Sequence, residues 1–333
     1  MEAIKSLTDK SLNQENFPIF FWDNWLKFSN TATSETKLYY HKGIVVPIII
    51  HKLKFLTKAD YVYVPLKHDG TRLNEQEEFH FINKFHDFLK QEKICDVIFP
   101  PSHIVNFKVI PKNVLYFQLG IIIWDINQPE ELILKKMTKN YQKKIKNALN
   151  SGVTTNFGFS ELFDFYTLYS ETLSRQKLQH TPFIEFENFI KKWANNTLVG
   201  VSRMSNIPEA SVFIYFDNSF AYADSGGSAA LTQLNGSNKL LLYEAILELH
   251  KRNIKKVVLG GYRNPNKTDK KHNGIQDYKL RYGAEIKEGY HFIKIINPIK
   301  YYLFEFALKI KSILTGKTLS FINTSGLDIK KSR

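Results

Sequence analysis

The amino-acid sequence predicts an α/β protein built as two successive units of mixed strands and helices. Three observations carry that expectation. The chain has 333 residues, of which 43% are hydrophobic and 23% charged, enough apolar side chain for about two cores of ordinary size. Strand-like and helix-like segments alternate in both halves. Between the halves lies a basic helical stretch with no acidic residue from Leu132 to Ser160. The expected boundaries are 1–150 for the first unit, ending in the basic connecting helix, 151–298 for the second, and 299–333 for a final helix and tail packing on the first.

In the first unit, Lys37–Tyr40 and Gly43–Ile50 read as the arms of a hairpin turning at His41–Lys42–Gly43, because β-branched residues crowd the second arm. Tyr61–Pro65 is expected as a further strand. From Glu75 to Glu92, Phe79, Ile82, Phe85, Phe88 and Leu89 fall at helical spacing and should share one buried face. That helix leads to a strand at Asp96–Phe99. In the basic stretch, Met137, Tyr141, Ile145 and Leu149 recur every four residues. They predict a buried stripe beneath a cationic face of Lys135, Lys136, Lys139, Lys143, Lys144 and Lys146.

The second unit reads as helices Leu162–Leu173 and Phe186–Ala194, strands Thr197–Arg203, Ala210–Phe216 and Ser219–Asp224, a helix Lys239–Lys251, and a strand Lys256–Leu259 running into Gly260–Gly261. Antiparallel strands, then a helix, then another strand is the order of an N-acyltransferase-like α/β fold and not of a doubly wound nucleotide-binding fold. No GxGxxG follows a strand and no GxxxxGKS/T occurs, which argues against dinucleotide and P-loop chemistry. After Asn297 an amphipathic helix carries apolar residues interrupted by Glu305, Lys309 and Lys311. It is too charged to span a bilayer; it either packs on the first unit or rests on a membrane surface where basic residues meet anionic lipid.

Lys and Arg number 46 against 32 Asp and Glu, a net charge of +14 that favours partners rich in phosphates or other anions. The single cysteine, Cys95, closes no intrachain disulfide and leaves no Cys-based zinc site, which fits a reducing compartment. The N-terminus is charged, and the apolar runs Ile44–Ile50 and Leu119–Trp124 fall short of the roughly 18 residues that span a bilayer. The expectation is a cytoplasmic protein, with peripheral membrane contact left open. His80 and His86 lie about 240° apart on their expected helix. Neither HExxH nor Gly-x-Ser-x-Gly occurs, so no metal site and no covalent enzyme nucleophile are expected.

The string Met137-Thr-Lys-Asn-Tyr-Gln-Lys-Lys-Ile-Lys-Asn-Ala-Leu-Asn-Ser-Gly-Val153, with Thr-Leu-Ser-Arg175 about twenty residues on, resembles the Fem family of peptidoglycan bridge-forming aminoacyltransferases. Tyr222-Ala-Asp-Ser-Gly226 is similar to that family's aromatic-rich strand ending in a small-residue turn, and Tyr278-Lys-Leu-Arg-Tyr-Gly283 to its Phe-Lys-x-x-Phe-Gly signature. Trp25-Leu-Lys27 is weakly similar to the family's start. The likeness runs from about residue 18 to residue 295. It implies tandem GNAT-like domains without a coiled-coil arm, the second holding the acyl-transfer site and a groove between the two receiving the acceptor.

By this resemblance Lys279 stabilises the tetrahedral oxyanion formed when an amine attacks an activated ester, the largest contribution in most such reactions. Tyr278 flanks it, and Tyr222 bonds the reacting carbonyl or positions the amine. Arg175 clamps an anion through its planar fork, and Lys27 contacts an acceptor phosphate. Each has an ordinary alternative: an exposed lysine, a core tyrosine, a surface ion pair. The implied donor is aminoacyl-tRNA, with no permanently bound cofactor, and the implied acceptor is an amine of a nucleotide- or lipid-linked cell-wall precursor. The basic surface would attract both.

A second reading keeps the fold and takes acyl-CoA as donor, acylating a sugar- or lipid-linked amine of the cell envelope. Its motive is Gln233-Leu-Asn-Gly236-Ser237-Asn238, which approaches a pyrophosphate-binding loop ahead of a helix start. Asn238 adds bulk where a small residue is wanted, and a plain helix cap also explains the segment. A third reading is a non-catalytic module that holds RNA or anionic membrane on the cationic helix from Lys135 to Lys146.

Overall fold

In the computed structural model, which describes residues 1–28, 30–101, 104–231, 236–263, 270–315 and 329–332, the chain forms two units that do not follow sequence order. Met1–Ile121, Gly261–Asn273 and Lys287–Arg333 make the first, and Ile122–Gly260 with Gly274–Ile286 the second. The basic stretch therefore belongs to the second unit and not to the end of the first. The chain also re-enters the first unit before residue 298.

The first unit opens with β1 (Glu2–Ile4), α1 (Asp23–Phe28), β2 (Ser34–His41), β3 (Ile44–Leu53) and β4 (Leu56–Tyr61). The expected hairpin is β2–β3, turning on Lys42 and Gly43, both at positive φ, the geometry whose twist matches antiparallel arms. The expected strand at Tyr61–Pro65 is not one, since Tyr61 ends β4. The real strand, Leu56–Tyr61, escapes notice because polar residues occupy its open face, where Asp60 pairs with Lys58 at 2.8 Å and His51 at 3.0 Å. After β5 (Leu66–Lys67), α2 (Glu75–Gln91) starts on an Asn74–Glu77 capping box. Its buried face is Glu78, Phe81, Ile82, Phe85, His86 and Leu89. Phe79 and Phe88 are only half-buried, because steps of three residues fall about 60° short of a turn and drift off the face. β6 (Val97–Phe99) returns parallel to β4, and β7 (Leu115–Gln118) completes this first pass.

The second unit repeats the plan. β8 (Gly120–Asp125), α3 (Glu130–Lys136) and α4 (Lys139–Asn150) precede β9 (Thr154–Phe157), α5 (Leu162–Arg175) and α6 (Phe183–Lys192). An antiparallel run follows, β10 (Thr197–Met204), β11 (Ile207–Phe216) and β12 (Phe220–Ser228), then α7 (Ser237–Lys251) and β13 (Lys256–Tyr262), parallel to β12. α8 (Lys270–Leu280) and β14 (Glu285–Lys287) close a sheet of order β14-β8-β13-β12-β11-β10-β9. On α4, Tyr141 and Ile145 are buried as expected, but Leu149 is 50% exposed and Ala148 is buried in its place. A four-residue step overshoots a helical turn by about 40°, so by the fourth position the stripe has left the core.

The chain then returns to the first sheet with β15 (Tyr290–Ile295), between β6 and β7, followed by α9 (Pro298–Thr315) and β16 (Lys330–Lys331). α9 packs on this unit through Tyr301 and Phe304, against Leu56, Val97 and Ile293. No described helix is long and apolar enough to cross a membrane.

Candidate active site

β12 and β13 pair only at Phe220–Lys256, Ala221–Val257 and Tyr222–Val258. Beyond Tyr222 β12 stays bonded to β11 as far as Ser228 while its pairing with β13 ends. A cavity of about 430 Å³ lies there, lined by Ala223–Ser228, by Leu259, by Asn238, Leu241 and Leu242 of α7, and by Ile275, Tyr278 and Lys279 of α8. All belong to the second unit.

Local sequence explains the opening. Phe213 of β11 faces Ser225 but Ile214 faces Ala223, so Asp224 is an extra residue on β12. Such a bulge bends its strand and breaks the side-chain alternation, and Asp224 thereby joins the cavity lining. The expected turn at Gly226 is instead continuous strand. The two glycines serve close approach. A Cβ on Gly226 would lie 2.6 Å from the Ser211 carbonyl, and one on Gly227 would overlap the Leu168 carbonyl of α5. The Gly227 amide donates to Ser211 Oγ at 3.0 Å and the Ser228 amide to Thr172 Oγ1 at 3.0 Å, so side chains of β11 and α5 satisfy backbone amides of the strand end that β13 no longer flanks.

Lys279 lies one residue before the end of α8, half-buried. Among the described residues no hydrogen bond or ion pair holds its ammonium, and burial alone lowers its pKa below the usual lysine value. An unpaired ammonium withdrawn from water favours an incoming anion. Tyr278 shares a hydroxyl–hydroxyl hydrogen bond of 2.8 Å with Tyr282, and burial pushes its phenol up to about 12, so it stays protonated at neutral pH. Tyr141 packs on both rings.

Two further groups escaped sequence reasoning. Lys239 of α7 is 7% exposed, its Nζ 5.4 Å from the Tyr141 ring centre and 5.7 Å from that of Tyr278, within cation–π range. It donates to Asn238 Oδ1 at 3.1 Å, and burial, then Lys144, lower its pKa. Asp224 is exposed, yet the surrounding protein displaces bulk water and raises its carboxyl pKa, the Ser225 hydroxyl opposing. Helical position gave no signal for Lys239, and a bulge leaves none for Asp224.

The remaining expected residues scatter. Arg175 ends α5 and donates to Thr172 Oγ1 at 2.9 Å and to the Ser228 carbonyl; both partners line the cavity, so Arg175 braces its rim. Tyr222 does not line the cavity. It is fully buried, stacked on Tyr215 at 5.4 Å, with its hydroxyl 3.5 Å from Asp217 in the β11–β12 turn. Ser237 starts α7 and donates to the buried carboxylate of Glu209 on β11. Gly236 abuts α4, where a Cβ would lie 2.7 Å from the Lys144 carbonyl, and Gln233 falls outside the described residues. Lys27 is exposed on α1 of the first unit. Also in that unit, burial pushes the Cys95 thiol up to about 12 and His86 down to about 3, which keeps both uncharged at neutral pH.

No family model and no curated protein matches this chain by sequence. Its fold does match solved structures. It superposes on FemX with a TM-score of 0.67 over 91% of this chain and 99% of that one, at 15% identity. The C-terminal domain of a putative lysylphosphatidylglycerol synthetase from Agrobacterium fabrum matches with a TM-score of 0.51, at 11% identity over 86% and 91% of the two chains. A conserved protein of unknown function from Bacteroides thetaiotaomicron matches with a TM-score of 0.51, at 11% identity over 78% and 86%. The chain thus has a FemX-like fold, with the mixed sheets flanked by helices that its sequence implies.

Proposed function

We propose that this protein is an acyltransferase that moves an amino acid from aminoacyl-tRNA to an amine of a peptidoglycan precursor. The observation that carries the reading is Lys279, an ammonium without a partner among the described residues, lining the cavity where β12 and β13 part in a FemX-like fold. The acceptor amine attacks the ester carbonyl carbon, forming the C–N bond and moving the carbonyl electron pair onto oxygen. Lys279 meets that oxyanion. Collapse breaks the bond to the ribose oxygen, which leaves with the proton that the amine loses. Asp224, which lines the same cavity and has a raised pKa, relays that proton. The contact of Lys279 with the oxygen strengthens as charge develops, which is what accelerates the chemical step.

The donor is argued from two neighbours of the cavity. Lys135, Lys136, Lys139, Lys143 and Lys146 stand exposed on α3 and α4, and α4 reaches the site through Tyr141 against Tyr278. This is a surface for a polyphosphate chain. The acyl-CoA reading draws on the start of α7, where Asn238 lines the cavity. Against it, the Glu209 carboxylate already accepts from Ser237 there and would repel a pyrophosphate.

The test combines the purified chain, aminoacyl-tRNA and a nucleotide-linked peptide precursor, with mass spectrometry reading the added aminoacyl residue. Lys279→Ala should lower kcat by about 10²–10³ with no loss of melting temperature. Undiminished turnover in that variant would overturn the role of Lys279. Marked thermal stabilisation by millimolar acetyl-CoA would move the donor to acyl-CoA.

A further inference from the structure

α9 shows the first unit a narrow face and solvent a broad one. Tyr301 is 5% exposed, and with Phe304 it supplies the packing against the sheet. Ile299, Leu303, Phe306, Ile310, Ile313 and Leu314 are instead between 43% and 82% exposed. At about 100° per residue these six fall within an arc of about 100°, one continuous stripe along the full 18-residue helix. An apolar stripe of that length turned outward is not an accident of composition.

The charges beside it identify what covers it. On the same helical wheel Lys309 borders one edge of the stripe and Lys311 the other, while Lys300, on the Lys311 side, is paired with Asp96 at 3.2 Å. The helix's one acid, Glu305, lies on the side away from the stripe and is half-buried. Phe55, 46% exposed at the β3–β4 turn, packs edge-on against Phe304 at 5.6 Å and follows the exposed Lys52 and Lys54 in sequence. We infer that α9 lies in the plane of a membrane surface, its stripe among the acyl chains and its bordering lysines at the level of anionic phospholipid headgroups. Length and charge exclude a span, and an apolar face edged by lysines is the pattern of an interfacial helix. A second copy of this chain is a poor occupant, because a two-fold contact would set these lysines against their own copies on molecules each carrying +14.

Flotation of the full chain with lipid vesicles tests this independently of the catalytic reading. Vesicles of phosphatidylcholine with about 30% phosphatidylglycerol should carry the protein, more weakly as salt rises, and pure phosphatidylcholine vesicles should carry far less. The triple variant Phe306→Ser, Ile310→Ser, Ile313→Ser should lose more than about tenfold in partitioning. Lys309→Glu with Lys311→Glu should lose roughly tenfold, on anionic vesicles alone. Both variants should keep the wild-type melting temperature, since Tyr301 and Phe304 are untouched, and wild-type turnover on a soluble acceptor. Equal binding of wild type and triple variant would overturn the inference. So would a concentration-dependent dimer that the triple variant dissolves.

Discussion

A lysine ammonium and a carboxylate line one cavity in this protein, Lys279 from α8 and Asp224 from β12, and among the described residues no ion pair joins them. Each is unfavourable where it stands, and the two act on stability with opposite signs. Burial lowers the Lys279 pKa, so the folded chain binds fewer protons than the unfolded chain between that lowered value and the ordinary lysine range. In this window stability rises with pH. Burial raises the Asp224 pKa, so the folded chain binds more protons between the ordinary carboxylate range and that raised value, and there stability falls as pH rises. Lys279→Met should therefore stabilise the fold at neutral pH, with a gain that shrinks in alkali. Asp224→Asn should stabilise it at neutral pH, with a gain that shrinks in acid. Urea unfolding across pH checks both, and matched activity assays should show each gain accompanied by lost turnover.

At the scale of the element, β12 makes the cavity by a bulge and a Gly-Gly pair, the first displacing Asp224 and the second letting α5 lie on the strand. Gly227→Ala forces a Cβ into the Leu168 carbonyl and should cost about 1–3 kcal/mol, read as a lowered urea midpoint. A methyl group added at Gly274 in α8 would meet nothing within 4 Å. Gly274→Ala should therefore stabilise by about 0.5–1 kcal/mol through helix propensity alone. Elements whose pattern is dictated by burial on one face were legible: the β2–β3 hairpin, α2 and α7. β4 was misplaced because ion-paired polar groups cover its open face. The site was half legible. Tyr278 and Lys279 carried a motif, whereas Asp224 depends on strand register and Lys239 looks like any lysine in a leucine-rich helix.

Across the whole molecule the exposed lysines fall on separate surfaces, those of α3 and α4 in the second unit and those of α9 in the first. Lys139→Glu, Lys143→Glu and Lys146→Glu together should weaken tRNA binding and reduce its salt slope by about 2–3, measured by filter binding between about 50 and 200 mM salt. The same changes should leave vesicle binding through α9 unaltered, since the two surfaces lie in different units.

Composition, periodicity and motif order determined by themselves that this chain folds into two α/β units, because burial of apolar faces is a property of local spacing. The Tyr278–Gly283 string, through its likeness to a family signature, singled out Lys279. Only the tertiary structure decided that the basic helix belongs with the second unit, that Tyr222 is core while Asp224 lines the cavity, and that α9 turns its apolar face outward. Each of those depends on which distant segment lies against which. A register shift of one residue or a rotation of one helix changes the exposed group without changing the sequence pattern.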